Sequence, residues 1–115
     1  MGTDIHGWVE KRLGDKWVAL AKLRDDERIY ERFSMLAGVR GCGPSARGLP
    51  SELSDTVSYW AVRAEYTHSH SWLPLAEALV IFIATSGREC YTTYELCGAD
   101  IDGISDCRLV FWFDS

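Results

Sequence analysis

All three histidines of the chain fall in two short motifs, Asp4-Ile5-His6 and His68-Ser69-His70. On an extended strand, residues two apart project from the same face, about 6.5–7 Å from each other. Asp4 and His6 could therefore reach one ion together, and His68 and His70 could do the same from an extended loop. A donor set of three imidazoles and one carboxylate suits zinc, iron, manganese or nickel better than calcium or magnesium. Such a divalent transition metal is the expected cofactor. Tyr66, Glu65 or Asp114 would add an oxygen or orient a ring from behind. Two other readings stand beside this one: a polar site without metal, and histidines with no shared role.

Around the four candidate ligands, Glu10 or Glu65 would act as general base. Arg40 and Arg47, which flank a glycine-rich stretch, would receive an anionic group. Trp8 and Trp72 adjoin the histidine motifs and are expected to line the pocket. Several other chemistries are excluded. Asp100-Ile101-Asp102-Gly103 begins like a calcium loop, but Ile104 and Phe111 stand where oxygen ligands are required. No Walker or dinucleotide-binding glycine spacing occurs, and no G-x-S-x-G elbow surrounds Ser69 or Ser71.

The elements that must carry these residues are legible in outline. Residues 3–11 alternate as a strand, with Asp4, His6, Trp8 and Glu10 on one face and Ile5, Gly7 and Val9 on the other. A polar turn at 12–16 leads to a second strand, Trp17 to Leu23. Helical spacing of Ile29, Phe33, Leu36 and Ala37 predicts a helix over 28–37, ended by Gly38. Residues 38–50, with four glycines and two prolines, form the main loop. Ser54 is expected to cap a helix running to Glu65, with Val57, Trp60, Ala61 and Ala64 buried. Tyr66 to Ser71 is expected to be a polar connection, and Ser71 to cap a third helix with Pro74 in its first turn. Residues 87–106 show no regular pattern. Leu109 to Phe113 is nearly continuous apolar sequence, which places it centrally, beside the N-terminal strand. The expectation is a single α+β domain over 1–115. A small mixed or antiparallel sheet, made of the N-terminal hairpin and the C-terminal strand, packs with about three helices.

Composition fits that expectation. Of 115 residues, 47% are hydrophobic and 25% charged, ordinary values for a globular chain. Residues 1–50 hold nine Lys/Arg against seven Asp/Glu, and the remainder holds three against ten. The net charge of −5 leaves no general electrostatic footprint for nucleic acid. The longest apolar stretch, Ala76 to Ala84, contains Glu77 and falls far short of the roughly 20 residues a bilayer requires, so no membrane association is expected. No secretory signal opens the chain. Cys42, Cys90, Cys97 and Cys107 are accordingly read as reduced, small, buried residues of a cytoplasmic protein.

Five blocks of the sequence resemble a family of small phage- and prophage-encoded proteins: Met1 to His6, Leu36 to Arg40, Arg47 to Pro50, His68 to Leu73 and Arg108 to Asp114. The resemblance implies a phage-type accessory protein and lends no reaction. Position 3 is Thr where that family frequently has Cys, and Tyr66-Thr67 stands where Asp-Gly is common. A ligand beyond the histidines and Asp4 is therefore not implied. Two functions follow. One is metal-assisted hydrolysis of a phosphoester or related bond. The other is non-enzymatic binding of a host protein, an inhibitor or adaptor whose histidines are structural. A small anionic ligand held by Arg40 and Arg47 is a further option.

Overall fold

The computed structural model describes residues 2–63 and 65–115. Four strands form one antiparallel sheet: β1 (Asp4–Leu13), β2 (Lys16–Lys22), β3 (Thr67–Pro74) and β4 (Cys107–Asp114), in the order β2-β1-β4-β3. Among the described residues four α-helices accompany it: α1 (Tyr30–Ala37), α2 (Asp55–Ala61), α3 (Leu75–Ser86) and α4 (Thr93–Cys97). The fold is α+β, as expected, and β4 pairs with β1 at the centre. Every residue of β4 from Cys107 to Phe113 is buried, which is why that segment reads as unbroken apolar sequence.

The alternation of β1 sorts the two faces. Ile5 and Val9 join Leu109, Phe111 and Phe113 in the larger core, with Phe33 and Leu36 of α1 and Leu75, Ala78 and Phe82 of α3. The opposite face carries Val110 and Trp112, covered by Val57 and Ala61 of α2, with Trp8 and Trp72 packed alongside. Gly7 lies where β1 and β4 approach most closely. A Cβ there would stand 2.6 Å from the Val110 carbonyl oxygen and 3.0 Å from the Phe111 Cβ, so any larger residue would part the central strands.

Local capping agrees with the sequence in two places. Gly38 ends α1 at φ 71°, its N–H donating to the Ser34 carbonyl. The Ser54 hydroxyl accepts from the Val57 N–H at 3.2 Å and starts α2. In three places the chain departs from expectation. α2 stops at Ala61, and Trp60, expected inside, is 51% exposed; Ala64 lies outside the described residues. The segment expected as a polar connection is strand β3, so the third helix begins at Leu75 with Pro74 before it, and Ser71 caps nothing. Its hydroxyl instead accepts from the Arg47 N–H at 3.0 Å. Finally, residues 93–97 form α4, started by a reciprocal capping box between Thr92 and Glu95. Two of the four cysteines, Cys97 and Cys107, are buried as expected, whereas Cys42 and Cys90 are exposed. Burial pushes the Cys97 and Cys107 thiols up, keeping them protonated.

Candidate functional site: a tryptophan cleft beside a His–Asp pair

At one end of the sheet, β1 and β4 set Asp4 directly opposite Asp114, with His6 opposite Trp112 one step inward on the same face. Two carboxylates facing each other across a strand pair repel, and each has acquired its own cationic or donor partner. The Asp4 carboxylate accepts two hydrogen bonds from Arg28, from Nε at 2.8 Å and Nη2 at 3.2 Å. Asp114 accepts from Nε2 of His6, each side chain of this pair being 37% exposed.

The other two histidines are separated by a β-bulge. His68 pairs with Phe113 and Ser71 with Phe111, so Ser69 and His70 together oppose Trp112. Ser69 adopts φ 56° to allow this. His68 therefore stacks on Phe113, with ring centroids 6.2 Å apart, while His70 stacks on Trp112 at 5.9 Å. Phe113 belongs to the α1/α3 core and Trp112 to the cluster beneath α2, so the bulge sends the two histidines to opposite faces. Nδ1 and Nε2 of His68 meet the hydroxyls of Ser69 and Ser115, each at 2.9 Å. Nε2 of His70 donates to the Ala61 carbonyl at 3.1 Å, fastening β3 to the end of α2. Asp4, His6, His68 and His70 are thus each committed elsewhere. Among the described residues no three His, Cys, Asp or Glu side chains form a group able to hold a metal ion.

The remaining candidates are scattered. Glu10 is fully buried, accepting from Arg108 Nε at 2.8 Å and from the Ser54 N–H at 2.7 Å, so it is walled off from any open site. Glu65 is exposed and lines a shallow hollow of about 440 Å³ with Tyr66, Asp114 and Ser115. The Arg40 Nε donates to the Thr3 hydroxyl at 2.9 Å, and the guanidinium lies over Tyr30. Arg47 lies over Trp72 and faces Glu77 at 3.8 Å. The two arginines contact different elements and do not converge on one anion position.

What the fold does bring together is a cleft of about 460 Å³ walled by Trp8, Trp60 and Trp112, with His6, Asp114 and Lys22 supplying its polar atoms. Its volume lies within the range of ligand clefts, as does its make-up of apolar walls with a few polar groups. Trp8 lines this cleft, and Trp72 is not among its walls. A larger, charged hollow of about 820 Å³ adjoins it, sharing His6 and Lys22 and extending past Arg24, Asp26 and Glu27. Among the described residues four non-glycine residues adopt positive φ, and three of them touch this end of the sheet: Arg28 holds Asp4, Ser69 contacts His68, and Tyr66 shares the hollow with Asp114. Left-handed backbone costs of order 1–3 kcal/mol per non-glycine residue and concentrates at working sites.

The chain matches no protein-family model, no characterised protein and no solved structure. The resemblance to phage-encoded proteins rests on its five sequence blocks alone.

The hydrogen bonds from Arg28 hold the Asp4 carboxyl below its ordinary value of 3.8. Because the folded-state value is depressed, the pair's contribution is present above 3.8 and is lost as pH falls through the folded-state value. In Arg28→Ala, a carboxyl-detected NMR titration should show Asp4 moving up towards its ordinary value, with little change in stability near neutral pH, because the pair is solvent-screened. An Asp4 titration indifferent to Arg28 would refute the assignment.

Proposed function

We propose that this is a phage-type accessory protein that works by binding a host protein, its tryptophan cleft receiving an apolar side chain of that partner. The supporting observation is exposed apolar surface on the cleft wall and in the segment of chain that continues from it. Trp60 on its wall is 51% exposed, Tyr59 beside it 48%, Val62 69% and Tyr66 80%. Tyr59 and Trp60 meet edge to face at 5.0 Å, and the Arg63 guanidinium covers Tyr59 at 3.7 Å. Trp, Tyr and Arg are the residues that dominate interface energetics, and exposed aromatic surface beside a cleft is a natural place for recognition. The His6–Asp114 pair would read a polar atom next to the inserted group.

The test is stoichiometric capture from host lysate by wild type and by Trp60→Ala, followed by reconstitution with the purified partner. One partner, lost on Trp60→Ala with the fold intact and bound again in purified form, supports the reading. Equal capture by both proteins removes it.

Hydrolysis assisted by zinc, iron, manganese or nickel is the second reading, favoured by the shared face and strand end of Asp4, His6 and Asp114. A metal held there would activate water for attack on a phosphoester, with Glu65, which lines a hollow with Asp114, to receive a proton. It would have to displace Arg28 from Asp4 and part His6 from Asp114. Elemental analysis of untagged wild type and His6→Ala decides: about one equivalent lost in the variant supports a centre, and folded protein that takes up no added metal rules it out.

A further inference from the structure

The two edges of the sheet are finished differently. Beside β3, the loop over 38–50 closes in, the Gly48 N–H donating to the His70 carbonyl at 2.8 Å and the Arg47 N–H to Ser71. Strand β2 pairs with β1 on one side, and among the described residues no strand pairs with its other side. Its sequence, Lys-Trp-Val-Ala-Leu-Ala-Lys, is an uncharged stretch of five between two lysines, and Leu20 is 42% exposed. An open edge presents unpaired backbone N–H and C=O groups to which another chain can add, while lysines at its ends discourage indiscriminate pairing.

We propose that the free edge of β2 takes an extended, acid-flanked segment of a partner protein as a fifth strand. The inference rests on the reading above, that the protein acts by binding a partner, and it gives that partner's contact a definite form. Two observations narrow the occupant. First, β1 and β2 slip register between Val9 and Glu10, leaving Leu20 as the extra residue. The slip puts Ala19, opposite Glu10, and Lys22, opposite Trp8, on the same face of the sheet. At the Lys22 end of β2 lies the tryptophan cleft; at the other end a second cleft of about 720 Å³ borders Trp17, Val18 and Ala19 and runs beneath Leu53. A strand laid along β2 would thus pass two hollows on one face. Strand addition takes its affinity from main-chain bonds and its specificity from such alternate pockets. Second, Lys16 and Lys22 close the strand at both ends and make no ion pair among the described residues. They complement carboxylates at the two ends of an incoming segment. A second copy of this chain paired symmetrically about Ala19 would oppose Lys16 to Lys22 at both ends, and like charges in that position are unfavourable.

The probe is a synthetic acetylated heptapeptide with alternating valine and threonine between two terminal glutamates. Its controls are the same peptide with lysine ends and a form N-methylated at alternate amides, which cannot pair as a strand. Binding is read by NMR and by amide hydrogen exchange across residues 16–22. The expected result is a saturable complex that slows exchange in β2, is abolished by N-methylation and weakens about fivefold in Lys16→Glu. No binding up to about 1 mM, or equal binding of the N-methylated form, overturns the proposal. So does a concentration-dependent dimer that protects β2 without peptide, which would make a second copy the occupant. Retention of the host partner by Lys16→Glu and its loss on Trp60→Ala, with no change in β2 exchange, would leave the cleft reading intact and remove this one.

Discussion

Glu10→Ala should lower the free energy of unfolding by about 3–5 kcal/mol, the usual result of removing one member of a buried ion pair. The magnitude follows from what remains. Arg108, with 7% of its side chain exposed, would keep its charge, its stacking over Trp17 at 3.7 Å and its hydrogen bond to the Glu52 carbonyl, but would lose its carboxylate. The Ser54 N–H would lose its acceptor as well, and with it goes an anchor for the segment leading into α2. Urea unfolding should show a lower midpoint at unchanged slope. The double variant Glu10→Ala, Arg108→Ala should be less destabilised than the sum of the single variants, because it leaves no orphaned charge. A single-variant loss under about 1 kcal/mol would mean that water reaches the pair in solution.

Arg32→Ala should cost a similar amount, about 3–5 kcal/mol. The Arg32 side chain is 2% exposed and pairs with an Asp25 side chain that is 1% exposed, Nη1 to Oδ2 at 3.0 Å. Its Nε donates to the Thr85 hydroxyl at 2.8 Å, and its guanidinium lies 4.3 Å from the Phe82 ring centroid. One side chain therefore binds the segment after β2, helix α1 and helix α3 together. Lysine cannot replace it, since an ammonium lacks both the planar stacking surface and the fork of donors. Arg32→Lys should accordingly recover less than half of the lost stability. Near-complete recovery would show that charge alone, and not the geometry of the guanidinium, holds the three elements.

Strands β1, β2 and β4, the first helix and the central place of β4 are legible because burial imposes a period. Ile5, Gly7 and Val9 alternate with Asp4, His6 and Trp8, and β4 is apolar throughout because both its faces are covered. Strand β3 was hidden by its own bulge. With Ser69 in the left-handed region, His68 and His70 leave the alternation that would have marked residues 67–74 as extended, and the hydroxyl of Ser71 imitates a helix cap. The same bulge separates His68 from His70, since a His-x-His spacing implies one face only when the backbone is regular. Glu10 was correctly assigned to the face of Asp4 and His6, but nothing in the local sequence reveals Arg108, 98 residues away. Helix α4 carries a Thr-x-x-Glu cap at Thr92 and Glu95, but at five residues it is too short to show a helical period of its own. The cleft gathers Trp8, Trp60 and Trp112 from three elements, and only tertiary structure brings those together.

The central pairing of β1 with β4 also has a kinetic side. Asp4 meets Asp114 and Lys11 meets Cys107, so the middle of the sheet closes only when segments about a hundred residues apart find each other. Until then the β1–β2 hairpin forms alone, and an isolated two-stranded hairpin is marginal in water. Chains dominated by such distant contacts fold in milliseconds to seconds rather than microseconds. During that interval Ile5, Val9 and the apolar stretch of β2 are all open to solvent. Exposed apolar strand surface of this kind favours association between chains before folding is complete, so rapid dilution, or a chaperone, should raise the yield of refolding.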